Sequence, residues 1–253
     1  MAKSKKKKEA LKPVKEDKRL KKNYNVFILD KSGSMESVAK ETREGFNEQV
    51  QELKENADKY SDQEFYATFI TFNGTAELIF LNEKVSELYE LKEDDYVPGG
   101  TTALFDALNL GLTKVVDDLG DELKEDNSVV DAAVSVVVMT DGYENTSSYA
   151  NINKVPGMIK ELQGTGKWTF AYIGANQDVE AMAKKMNIPV SNTMAYTSDQ
   201  NGTKRAFAAM RMSSESYYSK RSKGISGQSL QNTFFEDEDG KKITADEDKD
   251  SED

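Results

Sequence analysis

At 253 residues the chain is long enough for one sizeable core, and 34 Lys and Arg against 45 Asp and Glu leave a net charge of −11, which argues against a general nucleic-acid binder. Cysteine and histidine are both absent, which excludes disulfides, thiol nucleophiles, Cys-based zinc sites and Ser-His-Asp triads. Any chemistry must rest on carboxylates, hydroxyls, amides, Lys, Arg or Tyr.

The charge is concentrated at the ends. Residues 1–22 are dominated by Lys, and the chain turns strongly acidic from about residue 236. Such segments lack the apolar residues that offset the entropy of ordering, so the composition predicts tails at 1–22 and 224–253 around one domain at 23–223. No apolar run approaches the roughly 20 residues of a membrane span, and the Lys-rich start lacks the apolar stretch of a secretory signal. The expected location is cytoplasmic.

In chain order, "NYNVFILD" reads as a buried strand, and "MESVAKETREGFNEQVQELKENA" carries apolar residues at Val38, Phe46, Val50 and Leu53 in the pattern of an amphipathic helix. "EFYATFITF" is a second strand. The turn dipeptide Asn73-Gly74 then predicts that "TAELIFLNEKVSELY" returns as an antiparallel edge strand. A Gly99-Gly100 loop leads into the helix "TALFDALNLGLTKVVDDL". The run "AAVSVVVMTD" suits a central strand covered on both faces. Next come the helix "INKVPGMIKELQ", the strand "KWTFAYIG" with Trp168 in the core, the helix "DVEAMAKKM", a short strand "IPVSNT", and a last helix at "SDQNGTKRAFAAMRMSSESYYSKR". The alternation predicts an α/β fold with a mostly parallel sheet.

Sheets of this kind place function at the carboxyl ends of their strands. Three loops there carry oxygen: Asp30, Ser32 and Ser34 in "DKSGS", Thr101 and Thr102 after two glycines, and Thr140-Asp141-Gly142. In an extended chain Asp30, Ser32 and Ser34 point the same way, and Gly33 lets backbone approach a ligand. Hydroxyls and carboxylates on separate loops suit a hard divalent cation, Mg²⁺ or Mn²⁺ ahead of Ca²⁺, which prefers more ligands. Each element alone also reads as an ordinary turn or helix cap.

Together, "DKSGS", "GGTTALFDAL" and "VVVMTDGYEN" resemble, in order, the three elements of the metal-ion-dependent adhesion site of von Willebrand factor A domains. The resemblance covers roughly residues 23–195. It implies a Rossmann-like fold: a central, mostly parallel sheet with one antiparallel edge strand and helices on both faces. It further implies Ser32 and Ser34 as direct ligands, Asp30 and Asp141 as carboxylates binding directly or through water, and one threonine. The register before Asp106 favours Thr102 over Thr101. The implied function is non-enzymatic: a metal-dependent protein-binding module whose ion accepts an Asp or Glu carboxylate from a protein partner.

Two alternatives use the same residues. A strand ending in Asp also opens the haloacid-dehalogenase-type phosphatases, but those want a second acid two residues on, where this chain has Ser32. A scaffold role would place the contacts in the charged tails. On the rim, Tyr143, Glu144 and Asn145 are either partner-selecting or part of a solvated loop. The run "YYSKRSK" from Tyr217 mixes aromatics and bases, which the end of an amphipathic helix explains more simply than a nucleic-acid surface.

Overall fold

The computed structural model describes residues 19–124, 129–175 and 178–245. Six strands form one sheet in the order β3-β2-β1-β4-β5-β6. They are β1 (Leu20–Asp30), β2 (Gln63–Phe72), β3 (Ala76–Lys84), β4 (Val130–Thr140), β5 (Trp168–Ala175) and β6 (Thr193–Tyr196). All neighbours pair parallel except β3, which returns antiparallel on β2 as the edge. The helices are α1 (Ala39–Lys59), α2 (Leu104–Leu119), α3 (Tyr149–Gly164), α4 (Val179–Met186), α5 (Gln200–Ser222) and the short α6 (Gln228–Gln231).

The period-two alternation of the strands divides the core. Val26 and Ile28 of β1 face the layer of α2, α3 and α4, whereas Phe27 and Leu29 face α1 and α5. Both halves are dry: Phe69 and Phe105, on opposite faces, are each 0% exposed. Trp168 is buried beside Phe170 in the α2 layer. From β1 the chain builds outward to β2 and β3, and from β4 it builds the other way to β5 and β6. The reversal of strand order therefore falls between β1 and β4, whose carboxyl ends lie side by side.

Three expectations need correction. The strand expected at "IPVSNT" begins only at Thr193, because Val190–Asn192 form a 3₁₀ turn after Pro189 and the Asn192 side chain donates to the carbonyls of Phe170 and Gln231. The first helix does not start near Met35: Gly33–Val38 is a 3₁₀ segment, and regular α-helix begins at Ala39.

The domain also extends beyond both expected boundaries. At the front, β1 starts at Leu20. At the back, residues 224–245 form a strap that buries Leu230, Phe234, Phe235, Ile243 and Ala245 in the α5 layer. The strap is mostly small, polar or charged residues, and its few apolar ones follow no helix or strand period, so nothing in the pattern marks them as core. Residues 1–18 and 246–253 of the expected tails lie outside the described residues. The run at Tyr217 turns inward: Tyr217 and Tyr218 are buried, Lys220 Nζ donates to the carbonyls of Thr233 and Glu236, and Arg221 reaches the backbone and carboxylate of Asp131.

Candidate metal centre

Asp30 is the last residue of β1, and Asp141 follows the last residue of its neighbour β4. Both are buried. Leaving β1, the chain is tied to its surroundings: Lys31 N–H donates to Phe72 O at 2.6 Å, Gly33 N–H to Gly100 O at 3.1 Å, and Gly99 N–H to Lys31 O at 2.8 Å. Gly100 has φ +82°, a conformation that glycine enters without penalty. The threonine loop is latched to the aspartate loop by a reciprocal pair: Thr102 N–H donates to Asn145 Oδ1 at 3.0 Å and Asn145 N–H to Thr102 O at 3.1 Å.

These ties bring the sequence-predicted oxygens together. Ser32 Oγ and Ser34 Oγ are 3.2 Å apart, and Ser34 donates to Asp141 Oδ1. Asp30 Oδ1 accepts from Ser32 N–H at 2.7 Å, and its Oδ2 accepts from the Thr140 hydroxyl. A methyl group built on Gly142 would lie 3.0 Å from Thr102 Oγ1 and 3.5 Å from both Asp30 Oδ2 and Ser32 Oγ. Three oxygens from two loops, the one after β1 and the threonine loop, thus face the hollow left by the missing Cβ of Gly142 on the third. Thr101 is separated from this group: its Oγ1 lies against Gly74, in the β2–β3 turn.

The donor set is hard oxygen, two carboxylates with hydroxyls, which fits a small divalent cation. Among the described residues no cluster of three or more Asp or Glu forms a metal cage, so hydroxyls would have to complete any shell. Burial raises the Asp30 carboxyl to about 6, and the Asp141 charge adds to the rise, while hydrogen bonds from Thr140 and Ser32 oppose it. A cation in the hollow would offset that cost of ionisation.

Surrounding residues hold the oxygens in place. The Tyr96 hydroxyl donates to the backbone carbonyl of Asp30. Glu144 is committed to its own loop and to α2, accepting from Ser147 N–H at 2.7 Å, Thr146 N–H at 2.8 Å and Phe105 N–H at 3.2 Å. Asp106 is likewise engaged, with Ser148 and Asn151. Of the three rim residues, Glu144 and Asn145 are thus structural, and Tyr143 is exposed. Ser198 was not anticipated. It follows β6 and donates to Asp141 Oδ2 at 2.8 Å, linking the start of α5 to the site. Its only signal in the sequence is a hydroxyl just past a strand end, ahead of the Asp199 helix cap.

The hollow gives a direct test. Gly142→Ala is expected to abolish metal binding, measured by calorimetric titration with Mn²⁺, while the unfolding free energy in chelator stays within about 1 kcal/mol of the parent. Undiminished Mn²⁺ affinity in that variant would show that the cation does not use this space.

The von Willebrand factor type A domain profile matches residues 26–210. No curated protein matches the chain in sequence. Among solved structures, proximal thread matrix protein 1 from the mussel byssus is 18% identical, with a TM-score of 0.53 over 77% of this chain and 48% of its own. A second structure of that protein, with a zinc-occupied MIDAS motif, is 17% identical at TM-score 0.52 over 77% of this chain and 48% of its own. The PilB minor pilin of Streptococcus sanguinis is 12% identical at TM-score 0.52, over 81% of this chain and 63% of its own. At these identities the likeness is one of fold, and the chain spans less than two thirds of the length of each.

Proposed function

Because the chain belongs to the von Willebrand factor type A domain family, we propose that it is a metal-dependent protein-binding module and not an enzyme. Ser32, Ser34 and Thr102 would hold the cation with hydroxyl oxygens, and Asp30 and Asp141 with carboxylates, directly or through water. Mg²⁺ or Mn²⁺ suits this set, and Ca²⁺ suits it less well because it takes more ligands. A divalent ion held there would supply a point of positive charge for a carboxylate, so the partner is a protein presenting Asp or Glu.

The observation that carries this reading is the convergence of Thr102 Oγ1, Asp30 Oδ2 and Ser32 Oγ on the hollow at Gly142. The mussel protein's zinc-occupied motif supports the choice of a divalent ion. Against a phosphatase, the residue two positions after Asp30 is Ser32, not an acid. The chain's own residues would act by binding and orientation. Buried Asp30 and Asp141 fix the negative charge, the Ser32–Ser34 turn presents hydroxyls, and the Thr102–Asn145 latch keeps the threonine in register.

The test is thermal unfolding with EDTA, Mg²⁺ or Mn²⁺. A ligand at about 100 times its dissociation constant adds about 2.7 kcal/mol to the folded state, a rise of roughly 5–10 °C for a chain of this size. The rise should vanish in Asp141→Ala. If millimolar metal leaves the midpoint of the wild type where EDTA puts it, the proposal fails.

A further inference from the structure

The strap climbs α5 from the helix's carboxyl end toward the metal centre. Thr233 O accepts from Lys220 Nζ at 3.0 Å, Glu236 O from Ser216 Oγ at 2.7 Å, and Ala245 O from Arg205 Nε at 3.0 Å. Later strap residues thus meet earlier turns of the helix. Ala245 is buried in the α5 layer, so the chain is anchored at that point. From Arg205 the same face of α5 runs back one turn to the exposed Asn201. A further turn back, just ahead of the helix, stands Ser198, whose hydroxyl donates to Asp141 Oδ2 at 2.8 Å. Lys204, beside this path, is exposed. The strap therefore delivers the chain to a surface path that ends at the candidate ligands.

The sequence that follows Ala245 is "DEDKDSED", with six carboxylates in residues 246–253. Seven residues of rise separate Ser198 from Arg205, so the span from Ala245 to the site is on the order of 10–15 Å. An extended chain covers it in three to five residues at about 3.3 Å each, which brings Asp248 and Asp250 within reach. We infer that the segment 246–253 is the metal's own carboxylate donor, closing the site in cis until a partner displaces it. This rests on the proposed function and adds the regulation of that site. The closure depends on metal. Without a cation, Asp30 and Asp141 repel an acidic segment, and the chain as a whole carries a net charge of −11. A divalent ion inverts the sign of the local field. A carboxylate on so short a tether has an effective concentration in about the millimolar range, so a partner's carboxylate must outcompete it.

The test is NMR of the full chain with Mn²⁺, whose unpaired electrons broaden the signals of nearby nuclei, against Mg²⁺. Signals of Asp248 and Asp250 should broaden together with those of Ser32 and Ser34, equally at every protein concentration when free Mn²⁺ is held constant. In Asp141→Ala they should stay sharp. Broadening of the acidic segment in that variant would mean that it captures Mn²⁺ by itself, and broadening that fades on dilution would mean a carboxylate from a second molecule. Either result overturns the inference. Sharp signals from the segment beside broadened Ser32 and Ser34 overturn it too, and leave the metal reading intact. If Ser32 and Ser34 also stay sharp, the site holds no metal, and the proposed function falls with the inference. A second measurement uses the chain with Asp246→Asn, Glu247→Gln, Asp248→Asn, Asp250→Asn, Glu252→Gln and Asp253→Asn, which leaves residues 19–245 unaltered. In Mg²⁺ it should bind a blocked Gly-Asp-Gly peptide about tenfold tighter than the wild type, the gain expected if the segment fills the site about nine-tenths of the time. Equal affinity overturns the inference; a peptide bound by neither chain removes the partner reading, and the inference with it.

Discussion

Asp30→Asn is expected to make the metal-free protein more stable at neutral pH and, at the same time, blind to metal. Burial raises the Asp30 carboxyl from 3.8 to about 6 in the folded chain, so folding favours its protonated form. For a carboxylate raised in this way, the stabilising contribution is fully present below pH 3.8 and is lost as pH climbs through about 6. The full shift corresponds to about 3 kcal/mol at neutral pH, at 1.36 kcal/mol per unit. Asn avoids that cost and keeps the contacts. Its oxygen can accept from Ser32 N–H, and its amide can donate to Thr140 Oγ1, whose own hydroxyl then turns to the Gly142 carbonyl 3.2 Å away. Urea unfolding in EDTA should therefore find the two proteins alike near pH 4 and the Asn variant ahead at pH 7.5. Saturating Mg²⁺ should raise only the wild type and reverse the order. A wild type as stable as the variant in EDTA at pH 7.5 would refute the account of the site as a charged hollow awaiting a cation.

The strap supplies the second large effect. Phe234 is 1% exposed; its ring centroid lies 5.1 Å from that of Phe235 and 6.0 Å from that of Tyr217, and its N–H donates to Asn192 Oδ1 at 3.1 Å. Phe234→Ala leaves a cavity between α5 and the sheet, at a cost of about 3–5 kcal/mol. Ending the chain after Lys223 removes Leu230, Phe234, Phe235 and Ile243 together. It also strips Gln231 from Trp168 O and the partner carbonyls from Lys220 Nζ. That truncation should not give a cooperatively folded domain, as judged by near-ultraviolet dichroism and the loss of a urea transition. A truncated chain that unfolds at the parent's midpoint would mean that the strap is a passenger.

The strands and helices were legible in the sequence because their apolar residues keep period two or a helical period, and the motif residues sit where those periods break. Asp30 ends an unbroken apolar run, and Asp141 ends another. For Thr101 and Thr102 the sequence offers only a register before Asp106; in the structure Thr101 Oγ1 lies against Gly74 and Thr102 Oγ1 against Gly142. Ser198 was beyond reach, since its place beside Asp141 depends on how β6 pairs with β5. The strap failed for the opposite reason: it is core written in polar letters, with its aromatics too sparse to raise a pattern.

The pairing of β1 with β4 has a kinetic corollary. Asp30 and the Thr140 hydroxyl it accepts from are 110 residues apart in the chain, and the carboxyl ends of the two strands meet only when Leu20–Leu29 and Val130–Met139 have aligned. No local segment holds more than a fragment of the donor set, so a cation finds nothing to grip in an unfolded or early-collapsed chain. Loop closure over that distance is an entropic barrier which the ion cannot lower, because it is met before the ion can bind. Metal would then act as a brake on unfolding, lengthening the lifetime of the native state while leaving the rate of its formation unchanged.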